Sequence, residues 1–191
     1  MPWEKQFDEN KVLDKAMHAF WRHGYKGTSM KCLVQETGLN PGSIYAAFDD
    51  KRSLFGRCLD RFEAAGEAAR ADLAATRPPR EAILALFDLM AEQIHADDDQ
   101  QGCLLVNSAL EAGQDPDVAA VIKRAVTATE VFIQDRIIAG QAAGDIAQDR
   151  NAGETARLIL ALILGVRVLA RTWPDHPFVS ESKVQVARLL T

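Results

Sequence analysis

Hydrophobic positions recur at three- and four-residue intervals along almost the whole chain, and no stretch alternates with period two. The pattern predicts an all-α protein. A first helix over about Asp8 to His23 carries Leu13, Met17 and Phe20 on one stripe, with Val12 and Ala16 beside it. Gly24 ends it. Two short helices follow between Thr28 and Phe48. Asp49 and Asp50 then cap a long helix running through Leu54, Phe55, Leu59 and Phe62 to about Ala75. Pro78-Pro79 breaks the chain. Ile83, Phe87, Met90 and Ile94 stripe the next helix, which stops before Asp97-Asp98-Asp99, a solvated loop with no calcium-binding pattern. Gly102 to Ala112 forms a short helix with Cys103, Leu104, Leu105 and Leu110.

Asp115-Pro116 opens a long helix with Val118, Ile122, Ala125, Phe132 and Ile133 inward, and Gly140 and Gly144 loosen its end. Asn151 with Glu154 three on resembles a capping box for a helix over 152–172. Its run LILALILGV is apolar all round, so it should be buried on two sides, one against its own core and one against a second copy. Pro174 and Pro177 interrupt, and Ser180 starts a closing helix with Val184, Ala187 and Leu190.

The stretch from Thr28 to Phe48 carries the strongest local signals. Thr28 or Ser29 can cap its first helix, whose apolar side is Met30, Leu33 and Val34. Gly38 supplies a residue able to take positive φ past the helix end, with Leu39 plugging the corner. Asn40 followed by Pro41 is a cap and then a ring whose fixed φ suits the first helical position. Ile44 and Phe48 point inward together, leaving Gly42, Ser43, Ala46 and Ala47 outward with Tyr45 at the edge. Helix, glycine turn and a short helix with a small outer face is a helix-turn-helix pattern, which places its second helix in the major groove of DNA.

Charge sharpens this picture. The chain of 191 residues has a net charge of −5, which looks wrong for a nucleic-acid binder until it is divided. Residues 1–62 carry +2 and residues 63–191 carry −7, so the less acidic end holds the helix-turn-helix. Three scattered cysteines, Cys32, Cys58 and Cys103, imply no disulfide framework. The N-terminal MPWEKQFDENK lacks an apolar signal core, and the longest apolar run is nine residues where a bilayer needs about 20. A cytoplasmic protein is expected.

The segment from Val12 to about Leu59 resembles the DNA-binding domain of the TetR family of bacterial transcriptional regulators. The resemblance rests on Phe20-Trp21-Arg22-His23-Gly24-Tyr25, Thr28, Thr37-Gly38-Leu39, Gly42-Ser43-Ile44-Tyr45, Phe48, Lys51 and Leu54-Phe55. Ala46 and Ala47 depart from the large polar residue many members carry there. The resemblance implies a helix-turn-helix DNA-binding domain over 1–50 and a larger effector-binding and dimerisation domain over 51–191, linked by the helix from about 50 to 75. It also implies a homodimer through the last two helices and, because members mostly block promoters, repression of a palindromic operator released by a small-molecule effector. Thr28, Ser29, Tyr45 and Lys51 match positions that touch the DNA backbone in the family.

Base reading would fall to Lys31, Asn40, Ser43, Ala46 and Ala47, with Pro41 and Gly42 at the opening of the same helix. Lys31 can donate to guanine, Asn40 can pair with adenine if it is not capping, and alanine offers only a methyl to a thymine methyl. A pocket between the later helices would draw on Phe62, Phe87, Met90, Ile94, Cys103, Asn107 and Phe132, all equally suited to plain core. Cys103 after Gly102 at a helix start suggests an alternative, a thiol- or electrophile-sensing regulator, since free amides there favour a thiolate. Cys32 and Cys58 fall on apolar helix faces and read as structural.

No catalytic motif or cofactor loop is present in the sequence. His18, His23, His95 and His176 make no metal-ligand spacing, so no metal or cofactor is expected. A helical adaptor for a protein partner remains a further alternative to a DNA-binding function.

Overall fold

A computed structural model describes residues 7–97 and 101–191; the expectations for the N-terminal six residues, Asp98 and Asp99 lie outside them. Nine helices are present among the described residues, and no strand. In order they are α1 (Glu9–Gly27), α2 (Met30–Thr37), α3 (Pro41–Phe48), α4 (Lys51–Thr76), α5 (Pro79–His95), α6 (Leu104–Ala112), α7 (Pro116–Ala143), α8 (Ala152–Thr172) and α9 (Phe178–Leu189). The chain forms two compact units, one of residues 1–64 with 107–122, the other of 65–106 with 123–191. Helices α4, α6 and α7 each belong partly to both. No described helix is long and apolar enough to cross a membrane.

The caps explain where the helices of the first unit begin. Asp8 accepts from the amides of Asn10 and Lys11, Ser29 from Cys32, and Asn40 from Ser43. Each satisfies an amide that a helix start leaves unpaired. Gly24 takes φ 73° and breaks α1 as expected, yet one further turn runs on to Gly27. Gly38 takes φ 75° and ends α2. Asp50, rather than Asp49, caps α4 by accepting from the Ser53 amide at 2.7 Å. That contact holds its carboxyl below the ordinary range.

The first unit's core is aromatic. Phe20 lies 4.9 Å from Phe55 at 61°, Tyr25 lies 4.9 Å from Phe55, and Trp21 meets Phe62 edge-on at 5.2 Å. Leu33, Ile44, Leu54 and Leu59 fill the remainder with no exposure.

In the second unit, Phe87 and Met90 of α5 pack with Ile133 and Ile137 of α7, Ile159 and Ile163 of α8, and Val186 of α9. Three expectations fail here, each for a physical reason. Gly140 does not loosen α7: a Cβ on it would lie 2.6 Å from Ile146, so glycine is what lets Ile146 pack on the helix backbone. The closing helix starts at Phe178, not Ser180. Val186 and Leu190 pack on the core, while Val184 stands 48% exposed.

Candidate nucleic-acid interface

Helix α3 is the element the site is built on. Asn40 caps it and Pro41 fills its first position, where a missing N–H costs nothing. Ile44 is 0% and Phe48 1% exposed, so the helix is seated by two apolar anchors four residues apart. Pro41, Gly42, Tyr45 and Ala46 face solvent, with Ser43 and Ala47 half-buried. Tyr45 is 48% exposed. The exposed face is small and uncharged apart from what flanks it, and Lys31 of α2 is exposed as well.

Several candidate residues have other work. The Thr28 side chain is fully buried; its hydroxyl donates to the carbonyls of Gly24 at 2.6 Å and Ala19 at 3.3 Å, and its amide also donates to Gly24. Thr28 thus ties off the Gly24 kink, and the expected phosphate contact through its hydroxyl does not fit this geometry. Ser29 is exposed and uses only its lone pair on Cys32, so its hydroxyl proton is still available to an acceptor. Asn40 spends its Oδ1 on the Ser43 amide at 2.9 Å. A bidentate adenine contact, which needs both ends of the amide, is incompatible with that cap.

Lys51 also serves the fold. Its Nζ donates to the carbonyls of Tyr25 at 2.9 Å and Thr28 at 3.0 Å, and lies 4.4 Å from the Tyr25 ring centroid. An ammonium has three donors, so one remains for an outward acceptor. Burial is the first reason that the Tyr25 hydroxyl titrates above its ordinary value, with the nearby Asp115 and Asp50 charges adding to it.

The sequence reading missed the other half of this corner. Glu111, at the end of α6, accepts from the amides of Tyr25 at 2.8 Å and Lys26 at 2.6 Å. Arg52, at the start of α4, bonds Asp115 at 2.7 Å and Asp117 at 2.8 Å. On the opposite end of the unit, Arg61 grips Asp14 through two nitrogens at 2.6 and 2.9 Å. These partners lie 47 to 86 residues apart, and no local motif signals them.

The residues suggested for a ligand pocket are divided between the two units. Phe87, Met90, Ile94 and Phe132 belong to the second unit's core, whereas Phe62 packs on Trp21 in the first and Asn107 lies in the first unit's returning segment. Cys103 is buried, and Arg171 side-chain carbons lie 3.1–3.2 Å from where a Gly102 Cβ would stand. Cys58 is buried and its thiol is pushed up to about 12 by burial. Cys32 is not structural core: it is half-exposed, and the fold brings it together with His23 and Glu36.

Helices α1, α2 and α3, with α3 capped and seated by two buried anchors, form the arrangement that defines the helix-turn-helix class of DNA-binding regulators. Residues 12–58 match the profile "Bacterial regulatory proteins, tetR family", and residues 79–177 match "Tetracyclin repressor-like, C-terminal domain". The HTH-type transcriptional repressor ComR of Escherichia coli K12 is 31% identical over 172 residues, covering 87% of this chain and 81% of that protein. The chain belongs to the TetR family of bacterial transcriptional regulators. Among solved structures, a cysteine variant of the TetR-family regulator CifR, in complex with 26-base-pair double-strand operator DNA, superposes with TM-score 0.80 and 26% identity, covering 96% of this chain and 95% of that one. Reduced E. coli NemR shares the fold at TM-score 0.88 and 18% identity, covering 95% and 96%.

Proposed function

We propose that this protein is a homodimeric repressor that binds a palindromic operator through α3 and is released by a small-molecule effector. The observation that carries the reading is α3 itself: Ile44 and Phe48 are wholly buried while Pro41, Gly42, Tyr45 and Ala46 stand outward. A helix held so firmly behind and left so small in front is suited to a groove. ComR, a relative, is named a repressor, and a cysteine variant of CifR is solved in complex with operator DNA. DNA binding is assigned to residues 1–50 and effector binding and dimerisation to 51–191.

Within the interface, Tyr45 and Ser29 offer hydroxyls and Lys51 its remaining N–H to phosphates, while Lys31, Ser43, Ala46 and Ala47 face bases, with Pro41 and Gly42 admitting the backbone closely. Phosphate contacts fix position and base contacts read sequence. Dimerisation sets two such helices about 34–36 Å apart, the repeat of the duplex. Its surface is on α8, where Leu158, Ala161, Gly165, Val168, Leu169 and Thr172 form an exposed stripe opposite the buried Ile159, Ile163 and Val166. Leu158, Val168 and Leu169 are each about half exposed, and Val184 of α9 adds to them. Water on so many apolar side chains is unfavourable, and a second copy removes it.

The effector reading draws on Phe87, Met90, Ile94, Cys103 and Phe132 of the second unit, with Phe62 and Asn107 on the helices that run into it. No catalytic role is assigned. A gel shift with the promoter fragment adjoining the gene tests the proposal. Binding that saturates at one dimer per palindrome, weakens with salt and is lost in Tyr45→Ala supports it, and unchanged binding by Tyr45→Ala refutes the assignment of α3.

A second reading, sensing of thiol-reactive compounds by Cys103, is favoured by one observation. Cys103 follows a left-handed Gly102 at the mouth of α6, with the Arg171 side chain packed over that glycine. A thiol-blocking reagent should then lower DNA affinity in the native protein and not in Cys103→Ala. Equal loss in both ends this reading.

A further inference from the structure

His23, Cys32 and Glu36 form a cluster that neither the regulator's DNA contacts nor its effector account for. Each offers one ligand atom, and the three atoms lie within 4.8 Å of one another. Cys32 and Glu36 are four apart on α2, so they share one face and one turn. His23 arrives from α1, one residue before the Gly24 kink. His23 and Glu36 are exposed and Cys32 half-buried, so solvent ions reach all three.

Nitrogen, thiolate sulfur and carboxylate oxygen are the donors that suit a borderline-soft divalent cation, zinc above all. Bond lengths of about 2.0–2.3 Å around a tetrahedral ion require ligand atoms roughly 3.3–3.7 Å apart. The ligand atoms lie within 4.8 Å of one another, so they have to close by at most about 1.5 Å, a movement of the size that side-chain rotation supplies. We infer that His23, Cys32 and Glu36 bind a zinc-class divalent ion, with water in the fourth position.

On binding, the ion replaces the Cys32 thiol proton, which leaves to solvent, and no oxidation state changes. The ion cross-links α1 to α2 across the Gly24 kink. Residues 9 and 13 positions apart in sequence do not hold this geometry in an unfolded chain, so binding stabilises the folded first unit. The Ser29 cap and Lys31 lie on the same short helix, so the ion also braces the element behind α3.

Cobalt(II) titration of the chelator-treated full-length protein tests the assignment, because thiolate ligation gives a charge-transfer band in the near ultraviolet and tetrahedral geometry intense visible bands. The expected result is one cobalt per chain, displaced by zinc. Cys32→Ala should abolish the charge-transfer band, and His23→Ala and Glu36→Gln should each weaken affinity by more than about a hundredfold, since even second-shell losses reach that size. Circular dichroism confirms that each variant is folded. Zinc should raise the melting temperature of the native protein but not of Cys32→Ala. No charge-transfer band in the native protein, or the same band in Cys32→Ala, overturns the assignment. So does a zinc-induced rise in melting temperature that survives in Cys32→Ala.

Discussion

Removing the Glu111 carboxylate should unlatch the corner that positions the helix-turn-helix. In the native protein it accepts from two backbone amides, at 2.8 Å from Tyr25 and 2.6 Å from Lys26. Hydrogen bonds to a charged group are worth about 1.5–3 kcal/mol each. The Lys26 bond is exposed and the Tyr25 bond half-buried, so the low end applies, and Glu111→Ala should cost about 2–3 kcal/mol. For a chain of this size that corresponds to a fall in melting temperature of roughly 4–12 °C. Glu111→Gln keeps one acceptor but turns an amide N–H toward the other donor, so it should recover no more than about half of the loss. Gly24→Ala should mimic the defect, because its Cβ would lie 2.5 Å from Glu111 Oε2 at a φ of 73°. Combined with Glu111→Ala it should be less than additive, since both break one contact. Calorimetry gives the stability, and hydrogen exchange reports the two amides, which should exchange at least about tenfold faster in Glu111→Ala. A Glu111→Ala protein within about 0.5 kcal/mol of native, the ordinary range for a surface change, would refute the latch.

Four further outcomes follow from the same geometry. Leu158→Glu with Leu169→Glu should yield a folded monomer by light scattering and lose cooperative operator binding; a persistent dimer would move the seam off α8. Replacing operator thymines by uracil should weaken binding at the base facing Ala46 and Ala47, and no effect at any position would exclude a methyl contact there. Thiol titration should label Cys32 rapidly in the native protein but Cys58 only on unfolding, because burial pushes the Cys58 thiol up to about 12 and leaves no thiolate at neutral pH. Asp14 titrates below 3.8 in the folded protein, first because Arg61 bonds to it, and so it stabilises the fold above the ordinary carboxylate value. That contribution is lost as pH falls through the lowered value, so the cost of Asp14→Asn should shrink in acid. The pair is largely solvent-exposed, so the cost should be under about 1 kcal/mol even at neutral pH.

What the sequence made legible was what depends on neighbours along the chain. Asn40-Pro41 and Asn151 announce helix starts because their caps join residues three apart, and Gly38 announces an end because it alone of its neighbours takes a left-handed φ readily. Ile44 and Phe48 announce a buried face because their spacing matches one turn. The apolar run in α8 implied burial on two sides; in the single chain one face is buried and the other, with Leu158, Val168 and Leu169, is exposed. Where two phases competed, the pattern was insufficient. Val184 and Val186 are both apolar, and only the packing of Val186 and Leu190 on the second unit's core decides between them. Gly140 shows the same limit, since only the approach of Ile146 from the following loop reveals why glycine is needed.

At the DNA-binding unit the structure gives two of the suggested residues work within the fold. The resemblance implies phosphate contacts for Thr28 and Lys51; in the fold their side chains donate to the carbonyls of Ala19, Gly24, Tyr25 and Thr28, and only Lys51 keeps a donor to spare. Each buried carbonyl needs a donor, and a polar side chain within reach is claimed by that need before any ligand arrives. The consequence bears on regulation. Glu111 and Asp117, which hold the Tyr25–Lys26 amides and Arg52, sit on α6 and α7, helices that continue into the second unit, and Asp115, the other partner of Arg52, lies in the turn between them. An effector that favours one setting of those helices therefore acts on the residues that fix the α1–α2 corner. To shift operator occupancy it needs only a difference in affinity between two settings, about 1.4 kcal/mol for each tenfold change. Loss of the Glu111 latch removes more than that, so Glu111→Ala should respond poorly to effector even where it still binds DNA.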